Sequence, residues 1–404
     1  MNKTPNANRV HIGIYGNRNA GKSSLFNAII GQNVALVSEM EGTTTDPVIK
    51  AMELIPFGPI VLIDTAGLDD VGILGNLRVE KTRQMLNRTD FALYVIDGSN
   101  PDVKGYHEMK AVFKQFNIPH LLVVNKKDQM TQSTLTVLES INDDKVMIST
   151  QNLEDIYHLN ATLLKRLERL DEDAPLVGNL LPYGSTVILV VPIDSEAPKG
   201  RIILPQVQII RDCLDHGIAC HVVRDTELAE ALSKLNRVDL VITDSQAFAE
   251  VSKIVPPDIP LTGFSILFSR QKGDFEKLLQ GIETLKALKA GARILIAENC
   301  THNHSHEDIG RVKIPKLLQT KINKDIHIEF SMGHDFPENL STYDLIIHCG
   351  ACMITRKTML TRIDLAREVE VPMTNYGLTL AYFSGILDRS IEIIYGKQRE
   401  NETV

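Results

Sequence analysis

Apolar and polar positions along this chain fall into a repeating rhythm. Short unbroken apolar runs are each followed by a polar turn and then by a longer stretch with apolar residues three and four apart. Unbroken runs predict strands covered on both faces, and the spacing of three and four predicts the helices that cover them. The first run, residues 10–15, leads into a helical pattern through Leu25, Phe26, Ala28 and Ile29. Runs at 60–63, 92–96, 121–124 and 146–150 continue the rhythm up to a helix that begins near Leu153. It restarts beyond Asp171-Glu172-Asp173-Ala174-Pro175 and a glycine-bounded stretch, 178–184, that reads as a linker. Strands at 186–192, 219–223 and 238–243 then alternate with helices at 205–216 and 227–235, and two more strands are expected at 292–297 and 343–347. The expectation is an α/β protein of three domains, 1–172, 173–265 and 266–404, each a mainly parallel sheet with flanking helices.

The turns that end these strands carry the chemistry. Gly16-Asn17-Arg18-Asn19-Ala20-Gly21-Lys22-Ser23 joins the first strand to its helix in the spacing G-x-x-x-x-G-K-S. Glycines at those places let backbone N–H groups turn inward around phosphate, and the helix N-terminus adds positive potential. The loop from Gly16 and Asn17 through Ala20 and Gly21 to Ser23 and Ser24 therefore reads as a phosphate cradle. Lys22 reaches the β/γ-phosphates and the Ser23 hydroxyl binds Mg²⁺. Glu41-Gly42-Thr43-Thr44-Thr45-Asp46-Pro47 follows, where Thr44 is placed to coordinate Mg²⁺ when a γ-phosphate is present. Asp64-Thr65-Ala66-Gly67 ends the next strand, with Asp64 holding the metal through water and the Gly67 N–H meeting the γ-phosphate. Asn125-Lys126-Lys127-Asp128 selects guanine, because a carboxylate accepts from the ring N1–H and the 2-amino group that adenine lacks. Ser149-Thr150 closes the set, with a backbone N–H for the guanine O6.

Five such motifs, in order and each at the carboxyl end of a strand, indicate a Ras-like P-loop GTPase that binds GTP and Mg²⁺. Gly42-Thr43-Thr44 and Asn19 make it resemble the TrmE–Era group in particular. Leu68 stands where Ras-type enzymes carry the glutamine that orients attacking water, so hydrolysis is expected to be slow. The resemblance implies that K⁺, held partly by Asn19, supplies the missing positive charge. On this reading Lys22, Asn19, Thr44 and Asp64 are the catalytic set.

Composition narrows the setting. The 404 residues carry a net charge of −8, which counts against broad nucleic-acid binding. No apolar run approaches the roughly 18 residues of a membrane span, and residues 1–9 lack the apolar centre of a signal peptide. A cytoplasmic protein is expected. Five cysteines, an odd number, argue against a secreted disulfide framework. Cys213 and Cys220 read as apolar packing, and the middle region shows no catalytic constellation. Its helix at 205–216, with Val207, Ile210 and Leu214 in helical spacing, is the candidate surface for self-association.

The remaining cysteines sit among histidines, six of whose twelve lie beyond residue 300. Cys300-Thr301-His302 follows one expected strand and His348-Cys349-Gly350-Ala351-Cys352 another, so two ligand-rich loops should converge on one crevice. Three thiolates suit either a 4Fe–4S cluster with a weaker fourth ligand or a Cys₃His zinc site. His302, His348 and Glu307 are candidates for the fourth place, with His304, His306 and Asp308 beside them.

These two loops, with Asp308-Ile309-Gly310-Arg311-Val312-Lys313-Ile314-Pro315, Pro198-Lys199-Gly200-Arg201 and Thr374-Asn375-Tyr376-Gly377, resemble the HydF family of FeFe-hydrogenase maturation GTPases. The resemblance spans essentially the whole chain. It implies a homodimeric scaffold that binds a 4Fe–4S cluster and receives a diiron unit bearing CO, cyanide and a dithiolate bridge from two radical-SAM maturases. That unit is then delivered to a hydrogenase apoprotein. The competing reading is a TrmE–Era-like GTPase of RNA modification or ribosome assembly with a structural zinc site.

Overall fold

A computed structural model describes residues 9–32, 38–39, 48–65, 85–168, 174–193, 202–298, 309–333, 336–337 and 339–401. The chain divides into two compact units, Met1–Asp173 and Ala174–Val404.

The first unit is built on a seven-stranded sheet of order β2-β3-β4-β1-β5-β6-β7. Its strands are β1 (Val10–Gly16), β2 (Ser38–Glu39), β3 (Val48–Leu54), β4 (Gly58–Asp64), β5 (Phe91–Asp97), β6 (His120–Asn125) and β7 (Lys145–Met147). β4, β1, β5, β6 and β7 run parallel, whereas β3 is antiparallel to β4 and β2 to β3. Helices α1 (Lys22–Gln32), α2 (Val103–Gln115), α3 (Gln132–Glu139) and α4 (Leu153–Leu167) pack around it. Period-two alternation sends Ile12, Leu93, Val95 and Val123 to one apolar layer and Tyr15, Tyr94, Ile96 and Val124 to the other. In α4, Ile156, Leu159, Leu163 and Leu167 repeat at three and four and form the buried stripe. The result is the Ras-like P-loop fold.

The second unit holds two four-stranded sheets, both wholly parallel. One contains β8 (Thr186–Val190), β9 (Ala219–Val223), β10 (Leu240–Thr243) and β11 (Leu261–Gly263), in the order β11-β10-β8-β9. The other contains β12 (Arg293–Glu298), β13 (His327–Met332), β14 (Leu345–His348) and β15 (Met373–Asn375), in the order β13-β12-β14-β15. Each sheet has its second strand on one side of the first and its third on the other. A switch in winding direction therefore falls between β8 and β10, and again between β12 and β14, where open α/β sheets form their crevices. Helices α5 (Leu204–Asp215), α6 (Leu228–Lys234), α7 (Phe248–Ile254), α8 (Phe264–Lys272), α9 (Phe275–Ala287), α10 (Ile314–Leu317), α11 (Arg356–Glu368), α12 (Tyr376–Phe383) and α13 (Leu387–Asn401) complete the unit.

Residues 178–184 are not a linker. Leu176, Val177, Leu180 and Leu181 are buried against Ile209 and the β8–β11 sheet, and Asp212 accepts from the Val177 and Gly178 N–H groups at 2.7 and 2.9 Å. Leu180 and Leu181, buried within the stretch, and Leu176 and Val177, buried just before it, outweigh the glycines that suggested a linker. A boundary at 265 falls inside α8, a helix that serves both layers. Phe264, Leu267 and Phe268 enter the core of the first sheet, and Ile266 that of the second.

Candidate functional site

The phosphate loop hangs between β1 and α1. Gly16 has φ +138° and lies so close to β5 that a Cβ would come within 2.1 Å of the Val95 carbonyl oxygen. Asn19 (φ +64°) and Gly21 (φ +92°) also take left-handed backbone, which folds the loop over itself. Lys22 is buried beneath it, its Nζ donating to the Gly16 and Asn17 carbonyls at 2.7 and 2.9 Å. Asn17, Asn19, Ser23 and Ser24 are exposed at the mouth. Ala20 is buried. Asp64 ends β4 in register with Ile14 of β1, one strand from the loop, and is buried. The next residue, Thr65, donates its hydroxyl to the Ile14 carbonyl at 2.6 Å and pins the two strand ends together.

Asn125 joins three motifs. At 1% exposure its Nδ2 donates to the Ala20 carbonyl at 3.0 Å, and its Oδ1 accepts from the Thr150 N–H at 3.3 Å. The loops after β1, β6 and β7 are thus held in fixed register. Lys126, in left-handed backbone, pairs with Asp97. The Asp128 carboxyl lies below its ordinary range, chiefly because the Ser149 side chain hydrogen-bonds to it. Ser149 is itself fixed by its N–H to Asp155 at 2.8 Å, and Asp155 pairs with Lys127 at 3.0 Å. Thr44 and Gly67 lie outside the described residues.

A second constellation occupies the carboxyl edge of the β12–β15 sheet. His348 ends β14 and Cys349 follows it, both buried, with Cys352 half-buried one turn on. The Cys349 N–H donates to the Ala297 carbonyl of β12 at 2.9 Å, so this loop starts at the β12–β14 switch. Cys300, His302 and Glu307, in the loop that leaves β12, lie outside the described residues. Among the described residues no three of His, Cys, Asp and Glu are grouped as a metal site. His348 has both ring nitrogens engaged, Nε2 with Arg362 Nη1 at 2.7 Å and Nδ1 with the Cys349 carbonyl at 2.8 Å. In this arrangement it has no lone pair for a metal.

Several groups here had no signal in the sequence. Glu298, at the end of β12, accepts from the Tyr376 hydroxyl at 2.9 Å and from Arg311 Nε at 3.2 Å. Gly310 lies so close that a Cβ would fall 2.1 Å from both Glu298 Oε1 and the Tyr376 hydroxyl. Lys272, 4% exposed, donates to the Ile354 carbonyl at 3.0 Å and ties the end of the cysteine loop to α8. Of these, Gly310, Arg311 and Tyr376 fell within recognised motifs, but nothing there pointed to Glu298 or Lys272.

Residues 176–273 match the family model for the hydrogen maturase F dimerization domain, and residues 276–393 that for the hydrogen maturase F tetramerization domain. Together they take in more than half of the chain. The chain belongs to the hydrogen maturase F family. In this member of the family, residues 11–126 match the model described as a 50S ribosome-binding GTPase. Among curated proteins, the GTPase Era of Heliobacterium modesticaldum is 33% identical over 39% of this chain and 52% of its own length. The GTPase Der of Wolinella succinogenes is 30% identical over 41% of this chain and 37% of its own length. The tRNA modification GTPase MnmE of Endomicrobium trichonymphae is 35% identical over 35% of this chain and 32% of its own length. The chain thus spans between about a third and about half the length of these relatives. The first unit of this hydrogen maturase F protein is its GTPase domain, with the loops for GTP and Mg²⁺. The second unit holds the domains named for dimerization and tetramerization. No helix among the described residues is long and apolar enough to cross a membrane.

Proposed function

We propose that the chain is a GTP-binding and hydrolysing scaffold that holds a 4Fe–4S cluster. In this role it carries a diiron subcluster precursor, received from radical-SAM maturases, to an FeFe-hydrogenase apoprotein. The observation that supports this best is the β12–β14 switch point. The two strand ends that meet there send out the loop with Cys300 and the loop with Cys349 and Cys352. Soft thiolate donors at that place fit an iron–sulfur cluster. Cys300, Cys349 and Cys352 would hold three irons, and His302 or Glu307 would be the weaker fourth ligand. A cluster so held supplies an exchangeable iron for the incoming unit.

GTP and Mg²⁺ would bind at Gly16, Asn17, Asn19, Ala20, Gly21, Lys22, Ser23, Ser24, Thr44, Asp64, Gly67, Asn125, Lys126, Asp128, Ser149 and Thr150, with K⁺ at Asn19. Lys22, Asn19, Thr44 and Asp64 form the catalytic set of a slow hydrolysis. Exposed Val207 and Leu214 on α5, within the dimerization domain, support self-association of a cytoplasmic dimer through the middle of three domains. The RNA-directed alternative with structural zinc is disfavoured by the net charge of −8 and by the two hydrogen maturase F domains.

Anaerobic purification or reconstitution is the test. A brown protein with broad visible absorption and bound iron, both lost in Cys349→Ser, is expected. Colourless protein that retains zinc and refuses iron would refute the carrier reading.

A further inference from the structure

His348 stands immediately before Cys349, where the spacing of the motif invites the reading that it binds metal. Its surroundings assign it another task. It is fully buried. A guanidinium has only donors to offer, so Nε2 must accept from Arg362. The ring proton then sits on Nδ1 and is donated to the Cys349 carbonyl. Arg362, 3% exposed on α11, also donates through Nη2 to the Gly333 carbonyl at 2.9 Å, and its guanidinium lies 5.1 Å from the Phe336 ring centroid. One side chain therefore links the loop after β13 to the end of β14.

We propose that His348 is a positioning residue and not a cluster ligand: Arg362, His348 and the Cys349 carbonyl form a relay that fixes the Cys349–Cys352 turn. What the relay serves rests on the cluster reading above. Cys349 is clamped on both sides, its N–H by Ala297 and its carbonyl by His348. Two residues on, Ala351 takes φ +56°, a conformation that a non-glycine residue keeps only where the surroundings enforce it. The far end of the turn is held by Lys272 through the Ile354 carbonyl. A His348 that ligated iron would have to give up either Arg362 or Cys349. Buried partners that orient a ligand in this way are the usual second layer of a metal site.

Two measurements test this. In the reduced metal-free protein, iodoacetamide labelling followed by mass spectrometry reports how often the turn opens. Arg362→Met and His348→Ala are expected to speed labelling of Cys349 and Cys352 roughly tenfold, the factor that loss of one charge-assisted hydrogen bond allows for local opening. Cys213, on α5 in the core of the other sheet, is the internal reference. Arg362→Lys keeps the cation and one of its two bonds, and should fall between. Unchanged labelling in Arg362→Met would overturn the relay.

In the iron-loaded protein with ¹⁵N-labelled histidine, pulsed EPR of the reduced cluster reports directly coordinated nitrogen. His348→Asn, whose amide can still donate to the Cys349 carbonyl, should keep the iron content and the nitrogen couplings of the parent. Its reduction potential should become more negative as the Arg362 contact is lost. A histidine coupling that vanishes in His348→Asn would make His348 a ligand and end the proposal. If the parent protein takes up no iron, the cluster reading falls while the labelling still decides the relay.

Discussion

Gly21→Ala perturbs the GTPase unit at the point where its phosphate and base loops touch. Gly21 has φ +92°, and a Cβ there would lie 2.1 Å from Asn125 Nδ2. Left-handed backbone costs an alanine about 1–2 kcal/mol. The clash forces Asn125 away from the Ala20 carbonyl and removes one buried hydrogen bond, about 1 kcal/mol more. A total of about 2–3 kcal/mol in a unit of this size lowers Tm by about 4–12 °C, measurable by thermal denaturation without nucleotide. GDP affinity, measured by calorimetry, should fall as well, because Asn125 no longer holds the Thr150 N–H in place. The decisive comparison is a double-mutant cycle. In an Asn125→Ala background the amide that clashes is gone, so Gly21→Ala should retain only its backbone penalty. The expected coupling is about 1 kcal/mol. Strict additivity would refute the claim that Gly21 is required by the Asn125 contact.

Three further outcomes are expected. GTP hydrolysis should be faster in K⁺ than in Na⁺, and Asn19→Ala should erase that difference; equal rates in the parent protein would remove Asn19 from the mechanism. The Asp143 carboxyl is held below its ordinary range, chiefly by Lys110, whose Nζ lies 2.7 Å from Oδ2. A folded pKa below the unfolded one stabilises at neutral pH and fades as pH falls through the folded value. The Tm deficit of Lys110→Met should therefore shrink below about pH 4, and a deficit that persists unchanged in acid contradicts the pairing. In the dimerization domain, the hydrogen bond that Cys213 donates to Cys220, with burial, pushes the Cys213 thiol up, whereas the same contact lowers Cys220. Alkylation should mark Cys220 first, and faster labelling of Cys213 would reverse that assignment.

The strand ends that carry the GTPase motifs were legible because the pattern is local. Each motif follows one apolar run, and strand register alone brings Asp64 beside Ile14 and Asn125 beside Asp97. Elements that depend on partners were not legible. β13 alternates apolar and polar residues at an exposed edge and leaves Phe330 and Met332 in solvent, so no buried run betrays it. In α5 the apolar spacing of Val207, Ile210 and Leu214 misses the core side: Val207 is 47% and Leu214 68% exposed, and Ile210 packs only partly against the core. The core side runs through Gln206, Ile209 and Cys213. Gln206 hides that stripe because it is polar yet fully buried: its amide donates to Asp244 at 3.0 Å and accepts from the Ile203 N–H at 3.1 Å. Arg362 was invisible for a related reason. Only the docking of α11 carries it to His348, and nothing in the cysteine motif specifies a basic residue on that helix.

The two sheets of the second unit share one winding order, and their carboxyl edges are bonded to each other. Ser245, just beyond β10, meets Ser265, just beyond β11, at 2.5 Å, and Ser265 also lies against the loop after β14 and the start of α12. A Cβ on Gly377 would come within 2.3 Å of the Ser265 hydroxyl, and one on Gly350 within 3.5 Å of its Cβ. Lys313, in the family motif before α10, donates to Gln246 beyond β10 at 2.7 Å, while Asn375 at the end of β15 bonds Ser269 of α8. The segment beyond β10 is therefore tied by a hydrogen bond to the segment before α10, and the end of β15 to α8. Ser265, close to Gly350, gives the cysteine loop a neighbour from the dimerization domain. A movement of α8, which is packed into both cores, would reach that loop through Lys272 and Ser265 together.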